Sequence, residues 1–146
     1  MERRTRLICL TLVSLVSCAT PFQPHFTKQY SPDYYPPAAR RLGEEGRVLV
    51  EVYIGNDGKL LQEPTLRQAA VSTRLNNGAV KLARLMRFDV SGRTKPDPKR
   101  PYLVTIIFCM EPGHCDQFAP FPKTEAVVVK TMPPLPPPQR GVQILD

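Results

Sequence analysis

Six side chains in this sequence could supply thiol or imidazole chemistry. They are Cys9, Cys18, Cys109, Cys115, His25 and His114. Catalysis by a nucleophile or a general base needs two reactive groups held together, and neither histidine lies in a serine, cysteine or carboxylate pattern of that kind. The acid pair Glu44-Glu45 directly precedes a predicted strand and is expected to be solvated. We therefore predict no catalytic activity and no cofactor.

The N-terminal residues have the three parts of a secretory signal. Arg3, Arg4 and Arg6 precede the apolar stretch Leu7 to Val16, which is too short to span a bilayer, and the small residue Ser17 follows. We predict cleavage after residue 17, which would remove Cys9.

Leu15-Val16-Ser17-Cys18 resembles the lipobox of bacterial lipoproteins, whose cysteine is diacylated and becomes the new N-terminus. The resemblance implies that Cys18 is a lipidation site. The alternatives are an ordinary cleaved signal peptide and an uncleaved membrane anchor. Ala19, in the place where an aspartate would retain the protein in the inner membrane, favours the outer membrane.

Cys109 and Cys115 flank a short loop with a Pro112-Gly113 turn, which could bring the two sulfur atoms together. An exported protein meets an oxidising periplasm, so we predict a disulfide worth about 2 to 2.5 kcal/mol of loop-closure entropy. The alternative is a metal site formed by Cys109, His114 and Cys115. A fourth ligand is not evident, and we predict no metal.

One domain of modest size fits in the mature chain. Removal of residues 1–17 from the 146-residue sequence leaves 129 residues, and proline is frequent near both ends. We expect a lipidated tether at 18–33, a folded domain at 34–110, and a cysteine loop with a proline-rich tail at 111–146. The run Pro133–Pro138 favours an extended segment, either solvated or bound in a groove.

Basic residues concentrate late in the predicted domain. Within seventeen positions lie Arg84, Arg87, Arg93, Lys95, Lys99 and Arg100. They predict a basic face that is either solvated or directed at anionic lipid headgroups, acidic cell-wall polymer or an acidic protein. Nucleic acid is not an expected partner, because the chain is exported and has no nucleic-acid-binding motif.

Local patterns predict two helices and three strands. Apolar residues alternate through the first strand, Asn56-Asp57-Gly58 is typical of a hairpin turn, and Leu75, Ala79, Leu82 and Met86 form one apolar stripe. Gly78 weakens the second helix by roughly 1 kcal/mol relative to alanine. In order, we predict a helix at Tyr35–Gly43, strands at Arg47–Ile54 and Lys59–Gln68, a helix at Ser72–Phe88 and a strand at Tyr102–Phe108, followed by a short β-type run at Ala126–Val129.

This order and several residues resemble the TonB C-terminal-domain family. The matching features are Tyr35-Pro36 with Ala39-Arg40, Gly43 and Gly46-Arg47-Val48, Asp57-Gly58, Arg84 with Arg87-Phe88, and a closing strand that ends in Phe108. The resemblance implies an α+β fold in which two helices cover one face of a three-stranded antiparallel sheet. It covers about half of the chain.

Three departures from that family bear on function. Met86 stands where the family usually has tryptophan, and Asn76 and Asn77 stand where it usually has acidic residues. Upstream, the sequence lacks the membrane helix and long spacer through which family members transmit force. We therefore rank energy transduction to outer-membrane transporters below anchored binding.

The resemblance implies that the last strand is a free edge that binds an extended partner peptide. Its residues are Tyr102, Leu103, Val104, Thr105, Ile106, Ile107 and Phe108. The alternative, held equally with a free edge, is that this strand is covered by Ala126–Val129 or closed by homodimerisation. The predicted function is a periplasm-facing lipoprotein that binds an envelope protein, such as an outer-membrane transporter. The alternative is a structural envelope protein whose basic face contacts lipid or cell wall.

Overall fold

A five-stranded sheet and two helices form the centre of the protein. The structure, a computed structural model, describes residues 21–135. The strands are β1 (Gln29–Tyr30), β2 (Gly46–Val52), β3 (Thr65–Gln68), β4 (Tyr102–Met110) and β5 (Glu125–Thr131). The helices are α1 (Pro37–Arg41) and α2 (Thr73–Leu85), and short 3-10 helices span Pro32–Tyr34 and His114–Gln117. The predicted α+β class is confirmed.

The sheet is mixed, with the strand order β1-β5-β4-β2-β3. Strand β2 pairs antiparallel with β3 and β4, whereas β5 runs parallel to both β4 and β1. The prediction of three antiparallel strands is correct for β2, β3 and β4 and wrong for the complete sheet. The predicted short run at 126–129 is instead a full strand that pairs with β4 over seven positions.

The crossover between β4 and β5 explains why β4 is buried on both faces. Parallel strands need a connection of about a dozen residues or more, and residues 111–124 provide it. This segment covers the face of β4 opposite to the helices. There the Phe121 N–H donates to Thr105 Oγ1 at 3.1 Å, and the Arg47 guanidinium lies 4.1 Å from the centre of the Phe121 ring.

The predicted apolar stripes form the hydrophobic core. All of the stripe residues are at most 1% exposed: Leu75, Ala79, Leu82 and Met86 from the second helical segment, and Val48, Val50, Val52 and Ile54 from the first strand. Ser72 is the N-cap of α2, as its hydroxyl accepts the Leu75 N–H at 3.3 Å. The helices are each shorter than predicted, because Tyr35, Pro36 and Met86 have extended backbone.

The hairpin between β2 and β3 has a longer loop than predicted. Of the predicted strand Lys59–Gln68, only Thr65–Gln68 forms a ladder with β2, and Leu60 makes an isolated bridge with Ile54. Gly58 has φ +76°, and a Cβ at this position would collide with the carbonyl oxygen of Phe88. The turn therefore requires glycine for its conformation and for its close contact with the segment after α2.

The described part of the predicted tether packs against the domain. Phe22, Phe26 and Tyr30 lie partly buried against the core, and β1 adds to the sheet beside β5. The Phe26 and Phe88 rings meet edge to face with their centres 5.6 Å apart. The tether prediction for 18–33 is thus corrected for residues 21–33. Within the part of the chain that the structure describes, no helix has the length and apolarity needed to cross a membrane.

Candidate functional site

The strand predicted to be the partner-binding edge lies inside the sheet. Strand β4 pairs with β2 from Tyr102 to Phe108 on one side and with β5 from Val104 to Met110 on the other. Its residues from Val104 onward are buried, and Leu103 is the most exposed at 39%. The prediction that Tyr102–Phe108 forms a free edge is therefore wrong, since β5 takes the place expected for a partner. The equal alternative, coverage of this edge by Ala126–Val129, is confirmed.

Strand β3 is the longer of the two sheet edges in the described part of the chain. Its four residues are exposed, and only β2 pairs with them. The opposite edge, β1, is two residues long. Arg67 in β3 forms a salt bridge with Glu51 of β2 at 3.0 Å, and the neighbouring Leu66 is 41% exposed. A strand that is paired on one side only can accept a strand from another protein on its free side.

The predicted disulfide between Cys109 and Cys115 is confirmed, with the two Cα atoms 5.1 Å apart. It joins the buried end of β4 to the short helix His114–Gln117, so it fixes the direction in which the chain leaves the strand. The metal-site alternative fails, because both thiols are consumed by the bond. Among residues 21–135, no group of three or more histidine, cysteine or acidic side chains is arranged to hold a metal ion.

Glu45 positions the disulfide loop, and Glu44 positions the beginning of α2. The expectation that these two carboxylates are solvated is therefore corrected. The Glu45 carboxylate accepts the Met110 N–H at 2.6 Å, and its second oxygen lies 2.9 Å from His114 Nδ1. Glu44 accepts the Ser72 hydroxyl at 2.6 Å and Arg74 Nη1 at 2.8 Å. The sequence signal was their position between Gly43 and Gly46, where the chain turns into β2.

Tyr35 links these acidic residues to the core. Its side chain is 2% exposed, its ring packs edge to face on Phe108, and its hydroxyl donates to the Glu44 carbonyl oxygen. Burial raises the pKa of the Tyr35 phenol well above that of a free tyrosine, and the nearby carboxylates of Glu45 and Glu44 raise it further. The phenol therefore remains a hydrogen-bond donor throughout the physiological range.

Residues 31–109 match the family model of the Gram-negative bacterial TonB protein C-terminal domain. The chain belongs to this family. No curated protein and no solved structure matches the chain. Domains of the TonB C-terminal family interact with partner proteins in the Gram-negative envelope.

The TonB C-terminal match also explains which part of the fold was predicted correctly. It contains β2, β3, β4 and both helices, whereas β1 precedes residue 31 and β5 follows residue 109. Within the matched region alone, β4 would be an edge. The two flanking strands are what convert a three-stranded antiparallel sheet into a mixed sheet of five.

The residues that depart from the TonB C-terminal pattern fit their surroundings. Asn76 is 9% exposed; its carbonyl oxygen accepts the Ala70 N–H at 2.8 Å, and its amide donates to the Ala70 carbonyl at 3.1 Å. A carboxylate could make only the first of these bonds. Met86 is fully buried and contributes to the core cluster. The predicted lipidation site Cys18 lies outside the described residues.

Proposed function

We propose that this protein is a lipid-anchored, non-enzymatic binding module that faces the periplasm and captures an extended segment of an envelope protein along β3. Membership in the TonB C-terminal family supports the binding role. The lipobox-like sequence that ends in Cys18 supports the anchor, and Ala19 favours the outer membrane.

The unpaired edge of β3 is the observation that carries this proposal. Strand β4 has neighbours on both sides, and β1 has only two residues to offer. All four residues of β3 are exposed, so a partner strand could pair there without displacing any described element. Leu66 would supply an apolar contact to such a strand.

Two matched substitutions test the choice of edge. Leu66→Lys places a charge on the free edge, and Leu103→Lys places the same charge on the strand that the sequence predicted as the edge. The two leucines are similarly exposed, at 41% and 39%. Lysine blunts an edge strand against pairing, so we expect Leu66→Lys to reduce partner capture about tenfold or more and Leu103→Lys to leave it within about twofold.

Capture is measured in intact cells with a photo-crosslinking amino acid at Gln68, followed by identification of the adduct by mass spectrometry. The same probe at Lys81 on α2 is the positional control. Loss of the adduct only in Leu103→Lys would instead assign binding to β4 and require β5 to move aside. Equal adducts from Gln68 and Lys81 would remove β3 as the binding strand.

The anchor is tested separately from the edge. Mass spectrometry of the purified mature protein should show a diacylated N-terminal cysteine at position 18. The Cys18→Ser variant should move from the membrane fraction to the soluble fraction. A wild-type chain without lipid would contradict the anchor and leave the assignment of β3 untouched.

A further inference from the structure

The chain enters the fold at one end of the sheet, and unpaired positive charge collects at that same end. The Phe22 ring packs edge to face on Tyr102 at the beginning of β4, with the ring centres 5.4 Å apart. Pro21 and Phe22 line one surface cavity with Arg100 and Lys123 and a second cavity with Arg93. We call the surface formed by Arg93, Arg100 and Lys123, together with the exposed Lys99 that directly precedes Arg100, the basic end.

Among residues 21–135, the cations of the basic end have no acidic partner. All four side chains are exposed, and none forms an ion pair with any residue in the described range 21–135. Elsewhere the cations are more often paired. The pairs there include Arg67 with Glu51, Arg74 with Glu44, Arg84 with Glu63, and Lys130 with Glu111.

The carboxylates near the basic end do not cancel its charge. Asp89 accepts the Ser91 N–H at 2.8 Å, Asp97 accepts the Lys99 N–H at 2.9 Å, and Glu125 pairs with Lys28 at 2.9 Å. The two negative charges of Asp89 and Asp97 are thus outnumbered by the positive charges of the four cations and of Lys95. The Lys95 ammonium donates to the Val90 carbonyl oxygen. The surface remains positive and would attract an anionic layer.

Only a short stretch of sequence connects the predicted anchor to this surface. Three residue steps separate Cys18 from Pro21, and each extended residue spans at most about 3.6 Å, so a lipidated Cys18 would lie within roughly 11 Å of Pro21. The Debye length at physiological salt is about 8 Å, so exposed charges act on the headgroups where the domain approaches the bilayer more closely than this maximum span. A domain tethered by so short a connection rests on the bilayer at the basic end.

We infer that the basic end is a membrane-docking surface that binds anionic phospholipid headgroups and orients the domain. The inference rests on the proposed lipidation of Cys18. Strands β4 and β5 run parallel away from this end, so the disulfide loop at the far end of β4 lies roughly 26 Å farther from the membrane.

Vesicle binding of the unlipidated mature chain, residues 18–146 with Cys18→Ser, tests the docking surface without the anchor. The chain should sediment with phosphatidylglycerol-containing vesicles, should not sediment with pure phosphatidylcholine vesicles, and should be released at about 1 M salt. Each basic residue near an anionic surface changes partitioning roughly fivefold, so Arg93→Gln with Arg100→Gln should weaken binding about 25-fold.

The matched control is Arg41→Gln with Lys81→Gln, which removes the same charge from α1 and α2. It should weaken binding less than about threefold, and circular dichroism should show both double variants folded. Equal losses in the two variants would mean that net charge alone drives binding and would overturn the inference. Equal binding to phosphatidylcholine, or tighter binding to purified cell wall, would also overturn it. None of these results depends on whether Cys18 is lipidated in cells.

Discussion

Gly78 of α2 lies so close to Pro36 that a Cβ on the glycine would collide with Cγ of the proline. Helix propensity alone counts Gly78 as a weakness, because alanine would stabilise a helix by roughly 1 kcal/mol. The contact reverses this expectation. Because Gly78 has no side chain, the Tyr35-Pro36 segment lies directly on α2, and Tyr35 contacts Phe108 and Glu44.

Gly78→Ala should therefore destabilise the protein. We expect a loss of about 1 to 3 kcal/mol in the free energy of unfolding, the usual effect of overpacking, measured by urea denaturation. Asn77→Ala is the control, because Asn77 is exposed on the same helix and should gain a few tenths of a kcal/mol from propensity. A stabilised Gly78→Ala variant would contradict the close contact.

Asn76→Asp, which introduces the acidic residue usual in the family, should also destabilise the fold. The change removes the bond from the Asn76 amide to the Ala70 carbonyl and places a charge at a site only 9% exposed. The expected loss is about 1 to 3 kcal/mol. The same change at exposed Asn77 should stay within about 0.5 kcal/mol in the same urea titration. Equal effects at the two positions would show that the Ala70 bonds contribute nothing.

Reduction of the disulfide should weaken the protein without unfolding it. The bond closes a loop of only a few residues, so its loss should lower the free energy of unfolding by about 2 to 2.5 kcal/mol. Urea titrations with and without reductant measure this difference. A Cys115→Ser variant should show the reduced stability in both conditions. Complete unfolding of the reduced protein at neutral pH would contradict a local role for the bond.

Stability should fall in alkaline solution because of Tyr35. Folding raises the pKa of its phenol, so this contribution is complete below about pH 10, the pKa of an unfolded tyrosine, and declines as the pH rises above that value. Burial also raises the pKa of Tyr30, which would add to the effect.

Tyr35→Phe should reduce the alkaline loss of stability, while Tyr53→Phe should retain that of the wild type. The urea midpoint measured from about pH 8 to pH 11 gives the comparison, with absorbance of the tyrosinate as a second readout. An unchanged pH profile in Tyr35→Phe would assign the loss to other groups.

Periodicity predicted the first strand and the second helix because each buries its side chains in a pattern of its own. Alternation through Val48, Val50 and Val52 identifies a strand with one buried face, and the stripe from Leu75 to Met86 identifies a helix packed on it. The cysteine spacing also predicted a bond that forms within a short loop. Each of these patterns lies within one short segment of the sequence, so it can be recognised without knowledge of the tertiary structure.

The position of β4 in the sheet had a sequence signal that was not used. The run from Val104 to Phe108 is almost continuously apolar, as is typical of a strand buried on both faces, whereas an edge strand with one solvated face alternates. Pairing with Ala126–Val129, which lies in β5, was predicted only as an equal alternative to a free edge, because nothing local to either segment decides whether the two pair.

The sequence by itself determined the second helix, the first strand, the disulfide and the signal-like N-terminus, since each depends on residues close together in the chain. The antiparallel arrangement of β2, β3 and β4 was implied by the family resemblance, because β2 pairs with a strand that lies far along the chain. Only the tertiary structure decided that β5 occupies the side of β4 expected for a partner, that β3 is left free, and that Pro21 enters beside Arg93, Arg100 and Lys123. These relationships join residues dozens of positions apart. Their energies come from backbone pairing, packing and charge in three dimensions, which a one-dimensional pattern does not contain.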